Sequence, residues 1–238
     1  MLLHGGLTNG DSFSLQVPAL VAAGWRVHVP DRRGHGRSPD TDAPFTYASM
    51  AEETVAYIED VVGGPAHVVG YSDGGNAAML LAIARPDLLR RLVLMGSNFH
   101  HDGFMGNDTD ADDTEDDPGT AFLGSLYGAV SPDGPDHWPV VRNKTVEMFR
   151  REPTLSVADL HQITAPTLVL VGDDDAIRLS HTVQLFEALP DAQLAVIPGA
   201  SHLVAIEQPD LVNGVINSFL AQTGPPAQLL PRRVGHSA

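Results

Sequence analysis

Val68-Val69-Gly70-Tyr71-Ser72-Asp73-Gly74-Gly75-Asn76 is the stretch that decides how this chain is read. A short apolar run, His67 to Tyr71, ends in Gly-x-Ser-x-Gly, and a helix-compatible run, Asn76 to Ala84, follows at once. The spacing predicts a strand, a sharp turn and a helix, with Ser72 at the apex. Chemistry has a use for that arrangement. A serine on a tight, strained turn stands clear of a sheet, and Gly70 and Gly74 let strand and helix approach closely. The helix that follows aims free N–H groups and a partial positive charge at the same point. Gly-x-Ser-x-Gly alone is common in glycine-rich loops, and it is the strand–turn–helix context that gives it weight.

On the N-terminal side, Met1-Leu2-Leu3-His4-Gly5-Gly6 reads as the end of a buried strand entering a glycine loop. Gly10 to Ala23 has near-helical apolar spacing interrupted by Pro18. Trp25 to Val29 reads as a short strand, Asp31 to Pro39 as a turn-rich loop, and Tyr47 to Val62 as an amphipathic helix. On the other side, Arg91 to Met95 is an apolar strand. The alternation then stops from Ser97 to about Ser156, where short helices are expected at Phe122–Tyr127 and Val140–Phe149. It resumes with a strand at 167–171, a helix at Ser180–Leu189, a strand at Gln193–Ile197 and a helix at Pro209–Leu220. Repeated βα units with continuous apolar strands imply a mostly parallel sheet with helices on both faces. Ligand sites in such sheets lie at the carboxyl ends of strands.

Within the interruption, Asn107 to Asp117 holds seven carboxylates. Asp108, Asp110 and Asp112 imitate a calcium loop, but Asp113 stands where glycine is required and Gly119 where a bidentate carboxylate is required. The run reads as a solvated loop. Thr223 to Ala238, rich in Pro and Gly, reads as a disordered tail. The organisation expected is a core of residues 1–96 and 157–222, an inserted segment 97–156, and the tail 223–238.

Composition narrows the function. The chain has 238 residues, 43% of them hydrophobic, and a net charge of −16. Phosphate binding rests on clustered Lys and Arg, so the charge argues against nucleic acid as a partner. The absence of cysteine excludes disulfides and thiolate chemistry. No apolar run is long enough for a membrane helix. The expectation is a cytoplasmic protein with a small-molecule substrate, no membrane partner, and self-association into a homo-oligomer left open.

Ser72 needs a base to take its proton. Two further strand ends offer the parts. Gly172-Asp173-Asp174-Asp175 follows one strand, and Gly199-Ala200-Ser201-His202 follows the next. An imidazole near neutrality serves as base, and a buried carboxylate orients it and stabilises the imidazolium. The order serine, acid, histidine is one of the known triad orders. His35, Arg37, His161 and His181 read as structural or surface residues. His100, His101 and Asp102 are a weak metal signal without a further ordered ligand.

Taken together, His4-Gly5-Gly6, Asp31-x-Arg33-Gly34-His35-Gly36-Arg37-Ser38, the Ser72 elbow, Gly172-x-x-Asp175 and Ser201-His202 resemble the α/β-hydrolase superfamily over residues 1 to about 222. The resemblance selects Asp175 as the acid, since the family's acid stands three residues after the glycine. It implies that the backbone N–H groups of Gly6 and Asp73 form an oxyanion hole. The Ser-Asp-Gly-Gly variant, with Leu92 to Asn98 and Tyr127, is similar to the biphenyl-hydrolase-like and valacyclovir-hydrolase-like branch. That likeness implies substrate-binding roles for Asp73 and Tyr127 and a helical lid after the sixth family strand. Relatives carry two more strands and the start of a third before the His-Gly loop, so the N-terminal strands are expected to be missing from this sequence, either because it starts too far downstream or because the protein is a shortened form with an exposed sheet edge.

The function expected is a serine hydrolase cleaving a small ester, lactone or activated amide, amino-acid esters among them, with no cofactor or metal. A serine at the nucleophile position disfavours dehalogenase and epoxide-hydrolase chemistry, for which relatives use aspartate. Two other outcomes fit the same residues: a lyase or C–C bond hydrolase using the triad, and a non-catalytic binding protein.

Overall fold

Leu92 and Leu94 point to one side of the central strand, Val93 and Met95 to the other, and all four are fully buried. A strand apolar on both faces needs cover on both, which is the condition of a parallel sheet. The computed structural model, which describes residues 1–105 and 118–224, meets it. Its five strands are β1 (Leu2–Leu3), β2 (Ala66–Tyr71), β3 (Leu89–Met95), β4 (Thr167–Gly172) and β5 (Ala192–Ile197). They lie side by side in chain order, and every pairing is parallel.

The helices divide between the two faces. On one, α2 (Tyr47–Tyr57), α3 (Asp73–Ala84) and α7 (Leu179–Ala188) bring Ala51, Met79, Leu81 and Leu185 against Val68, Leu92, Leu94 and Val169. On the other, α1 (Gln16–Ala22), α8 (Val204–Glu207) and α9 (Pro209–Leu220) bring Leu20, Val204, Val212, Ile216 and Phe219 against Val69, Val93, Met95 and Leu168. A fully buried side chain of this kind contributes about 1.5–3 kcal/mol, so period-two alternation along each strand holds both helical layers in place.

Local chemistry explains the element ends. Pro18 sits in the first turn of α1, where its missing N–H leaves no helix bond unmade. Thr46 caps α2 by accepting from the Ser49 N–H, and a π turn at Ile58–Val62 continues it to Gly63, whose φ of 78° ends it. Helix α3 begins at Asp73 and not at Asn76, because Gly74 and Gly75 are packed into its first turn.

The segment Trp25 to Val29 differs from its expected strand. Among the described residues it makes one backbone bond to the sheet, from Leu2 N–H to the His28 carbonyl at 2.8 Å. Two-residue β1 offers too short an edge to build a ladder, so apolar alternation here yields packing of Val27 and Val29 on the core without strand pairing.

Between β3 and β4 lie α4 (Pro118–Val130), α5 (Trp138–Phe149) and α6 (Val157–Leu160). Helix α4 is longer than the Phe122–Tyr127 expected. Tyr127, Val141 and Met148 pack on Phe45, Tyr47, Met50 and Ala77, which seats this segment over the start of α2 and α3. A polar clamp helps: Asp40 accepts from Lys144 Nζ at 2.7 Å and from His137 Nε2 at 2.9 Å. The acidic run at 107–117, and the tail apart from Thr223 and Gly224, fall outside the described residues. Among the described residues no helix is long and apolar enough to cross a membrane.

Candidate active site

Strand β2 carries the chain to Tyr71, and the next residue turns it. Ser72 has φ 51° and ψ −116°, a conformation that costs a non-glycine residue about 1–3 kcal/mol. Backbone bonds hold it there. Ser72 N–H donates to the Met95 carbonyl at 2.8 Å, and the Ser72 carbonyl accepts from Gly75 N–H at 2.8 Å and Asn76 N–H at 3.0 Å. Glycines make the turn sterically feasible. A Cβ at Gly74 would stand 2.0 Å from the Leu3 carbonyl oxygen, and one at Gly70 2.5 Å from the Gly74 backbone.

His202 arrives on the loop after β5 and faces Ser72. Its Nε2 lies 3.1 Å from Ser72 Oγ, and its Nδ1 lies 2.7 Å from Asp175 Oδ1. The carboxylate can only accept, so Nδ1 carries the proton and Nε2 presents a lone pair to the hydroxyl. Glu207 holds this loop by accepting from Ser201 N–H at 2.6 Å and Ser201 Oγ at 2.8 Å. At Gly172 the loop passes so close that a Cβ would stand 2.1 Å from the Ala200 carbonyl oxygen.

Of the three adjacent aspartates, Asp175 is the buried one. Its Oδ1 also accepts from the Ile177 N–H at 2.9 Å. Asp173 turns away and accepts from Ala200 N–H at 3.2 Å, and Asp174 is exposed. The three strand ends therefore bring Ser72, His202 and Asp175 into one hydrogen-bonded line.

Gly6 and Asp73 flank Ser72. Among the described residues neither backbone N–H is spent on a protein acceptor. The Asp73 side chain is buried, its Oδ1 accepting from Tyr47 Oη at 2.8 Å and its Oδ2 left without a partner among the described residues. Oδ2 faces the glycine loop, for a Cβ at Gly6 would lie 2.4 Å from it. Burial raises the Asp73 pKa above the ordinary carboxylate value, against the pull of the nearby Arg32 guanidinium. Burial likewise pushes the Tyr47 hydroxyl well up, with Asp73 adding to it.

A cavity of about 220 Å³ opens over Ser72. Its apolar walls are Phe104, Leu123, Phe149, Ile177 and Leu203, and its polar ones include Tyr47, Asp73, Asn98 and Glu152. Tyr127 is not part of the lining. It lies in the core of the α4–α5 segment with its ring centroid 5.6 Å from that of Trp138. The tyrosine of this lining that reaches Asp73 is Tyr47.

Other expected residues fall elsewhere. His35 is buried between His4 and Phe45, with its pKa lowered to about 4 by burial and then by Arg32. Arg37 pairs at the surface with Asp11 and Asp31. His161 is exposed. His181, expected at the surface, is buried instead. It stacks on Phe99 at 4.1 Å and accepts the Phe99 N–H at 3.2 Å, and burial lowers its pKa to about 4. His100, His101 and Asp102 do gather, their ligand atoms within 4.8 Å of one another, but at the surface and off the cavity lining.

Tyr47, Asn98, Glu152 and Arg32 are the residues that sequence reasoning missed around the site. No local motif marks the first three. Arg32 stood within the Asp31 to Pro39 loop, where its inward direction has no sequence signal.

Comparison with known proteins identifies the family of the fold. The profile described as the alpha/beta hydrolase family matches residues 1–215. The putative carbamate hydrolase RutD of Caulobacter sp. (strain K31) is 29% identical, over 93% of this chain and 90% of its own. The putative non-heme bromoperoxidase BpoC of Mycobacterium tuberculosis is 30% identical, over 87% of each. Among solved structures, NosK from Streptomyces actuosus superposes with a TM-score of 0.75 at 28% identity, covering 92% of this chain and 95% of its own.

Proposed function

The chain belongs to the alpha/beta hydrolase family, and from that premise we propose that it is a serine hydrolase forming an acyl-enzyme on Ser72. The observation that carries the reading is the His202 ring, bonded through one nitrogen to Asp175 at 2.7 Å and through the other to Ser72 Oγ at 3.1 Å. Ser72 Oγ attacks the substrate carbonyl while His202 Nε2 takes its proton, and the Asp175 carboxylate stabilises the imidazolium. The carbonyl oxygen, now an anion, receives the Gly6 and Asp73 N–H groups at the start of α3. His202 returns the proton to the leaving group, and water releases the acyl group by the same steps. All of these groups belong to the chain, so the scheme calls for no cofactor.

The substrate class is a small ester, lactone or activated amide, and likeness to a putative carbamate hydrolase extends it to carbamates. A cavity of about 220 Å³ with apolar walls favours a compact, largely apolar substrate. Amino-acid esters are a narrower reading, favoured by the unpartnered Asp73 Oδ2 in the lining. The nearby Arg32 charge weakens it by offsetting that carboxylate.

The test is a panel of short aryl esters together with fluorophosphonate labelling. Wild type should turn over at least one ester and label at Ser72, and Ser72→Ala should do neither while melting at the same temperature. A well-folded protein that neither labels nor hydrolyses would point to a binding role instead.

A further inference from the structure

Three donors converge on one backbone carbonyl beside the cavity. The Gly5 oxygen receives His4 Nδ1 at 2.8 Å, Thr8 Oγ1 at 3.0 Å and Arg32 Nη2 at 3.1 Å. The His4 tautomer follows from its other nitrogen: Nε2 accepts the Arg32 backbone N–H at 3.1 Å, so the proton sits on Nδ1 and points at Gly5. Burial, then the Arg32 charge, lowers the His4 pKa well below its ordinary value and keeps the ring neutral. Arg32 is itself buried, and among the described residues its Nε and Nη1 have no hydrogen-bond partner. A buried guanidinium with unmade hydrogen bonds is destabilising, so the fold retains it at a cost.

The Gly5 carbonyl belongs to the same planar peptide as the Gly6 N–H, and in a trans peptide the two point in opposite directions. Whatever fixes the carbonyl aims the N–H. A positive donor on the oxygen also draws charge along the amide and makes the N–H a stronger donor, an effect that is larger in a low-dielectric interior.

We propose that Arg32 is a positioning residue: its guanidinium, from beneath the glycine loop, orients and polarises the Gly5–Gly6 peptide so that the Gly6 N–H meets the oxyanion. This inference rests on the acyl-transfer reading above. Arg32 touches neither Ser72 nor the cavity, so its effect belongs to the transition state and not to substrate binding.

The experiment compares Arg32→Met, Arg32→Lys, Asp73→Asn and the Arg32→Met/Asp73→Asn double variant with wild type. It measures kcat and KM on the best aryl ester, inhibition by a boronic acid that mimics the tetrahedral adduct, and Tm. Removing a whole oxyanion donor costs about 10²–10³ in kcat. Arg32 strengthens a donor without supplying it, so Arg32→Met should lower kcat about tenfold to a hundredfold, with KM moving less than about threefold. Boronate affinity should fall by the same factor as kcat, and Arg32→Lys should recover part of both.

A folded Arg32→Met enzyme with wild-type kcat and boronate affinity overturns the proposal. So does a double variant restored to the kcat of Asp73→Asn alone, since Arg32 would then act only by offsetting the Asp73 charge. If Arg32→Met does not fold, Arg32→Gln, polar but uncharged, carries the same readout. Fluorophosphonate labelling of wild type separates the two levels. A wild type that neither labels nor hydrolyses removes the acyl-transfer reading and this inference with it, whereas an active wild type beside an unimpaired Arg32→Met removes this inference alone.

Discussion

Replacing Asp175 by asparagine removes a charge from the line of three while leaving its shape. Asp175 Oδ1 accepts from both His202 Nδ1 and Ile177 N–H, at 2.7 and 2.9 Å, and Oδ2 is buried without a partner among the described residues. The asparagine carbonyl must take the Oδ1 place, because an NH₂ there would face two donors. The ring therefore keeps its tautomer, and what is lost is the carboxylate charge opposite the imidazolium. Two unit charges about 4 Å apart at an effective dielectric of about 20 interact by about 4 kcal/mol, which is about 10³-fold in rate. That is milder than the loss of about 10⁴ known for a triad left with the wrong tautomer. The stranded NH₂ should also lower stability by about 1–3 kcal/mol. The assay is kcat on an aryl ester, with urea unfolding alongside, for Asp175→Asn, Asp173→Asn and Asp174→Asn. Asp173→Asn keeps an oxygen to accept the Ala200 N–H, and both it and Asp174→Asn should match wild type. Asp175→Asn retaining more than about a tenth of wild-type kcat, or Asp173→Asn as the inactive variant, would refute the reasoning.

Asp73→Asn keeps the backbone donor and the bond from Tyr47 but removes the charge. If the cavity takes amino-acid esters, kcat/KM should fall selectively on an amine-bearing ester against its des-amino analogue, by about tenfold, and an equal change on both would leave Asp73 structural. Gly74→Ala should destabilise the protein by about 3 kcal/mol or more in urea unfolding, because its Cβ meets Leu3 and His4 backbone oxygens that have nowhere to go. Acid should weaken the fold in a defined window. His35 and His181 have folded pKa values lowered to about 4 by burial. Below about 6.5 the unfolded chain therefore binds protons that the folded protein does not, and stability falls as pH drops from about 6.5 to about 4. A flat urea midpoint across that range would contradict the burial of both rings, and His35→Gln should flatten part of the slope.

The line from Ser72 through His202 to Asp175 was legible because each residue ends a strand, and strand ends in a parallel sheet share one edge by construction. Local signals reach the three loops there, an apolar run, a glycine, then polar residues, and the family's spacing picks Asp175 from its two neighbours. The same logic reached α9 and both strands of the C-terminal half, β4 and β5. It overreached at Trp25 to Val29, where alternation was present but a strand also needs an edge to pair with, and two-residue β1 provides almost none.

What lines the cavity was a different matter. Tyr47 was visible only as the start of an amphipathic helix, and its hydroxyl reaches Asp73 because α2 lies across the start of α3. Tyr127 sat in the right segment, yet packing turned it toward Trp138 and the α5 core. Which way a helix face turns is set by the summed contacts of its neighbours, and no spacing within the helix encodes them. Arg32 is the clearest instance. In sequence it is a charged residue in a polar loop, the kind that ordinarily faces water. Only the folded chain, by bringing the Gly5 carbonyl across from β1, gives its guanidinium an acceptor inside.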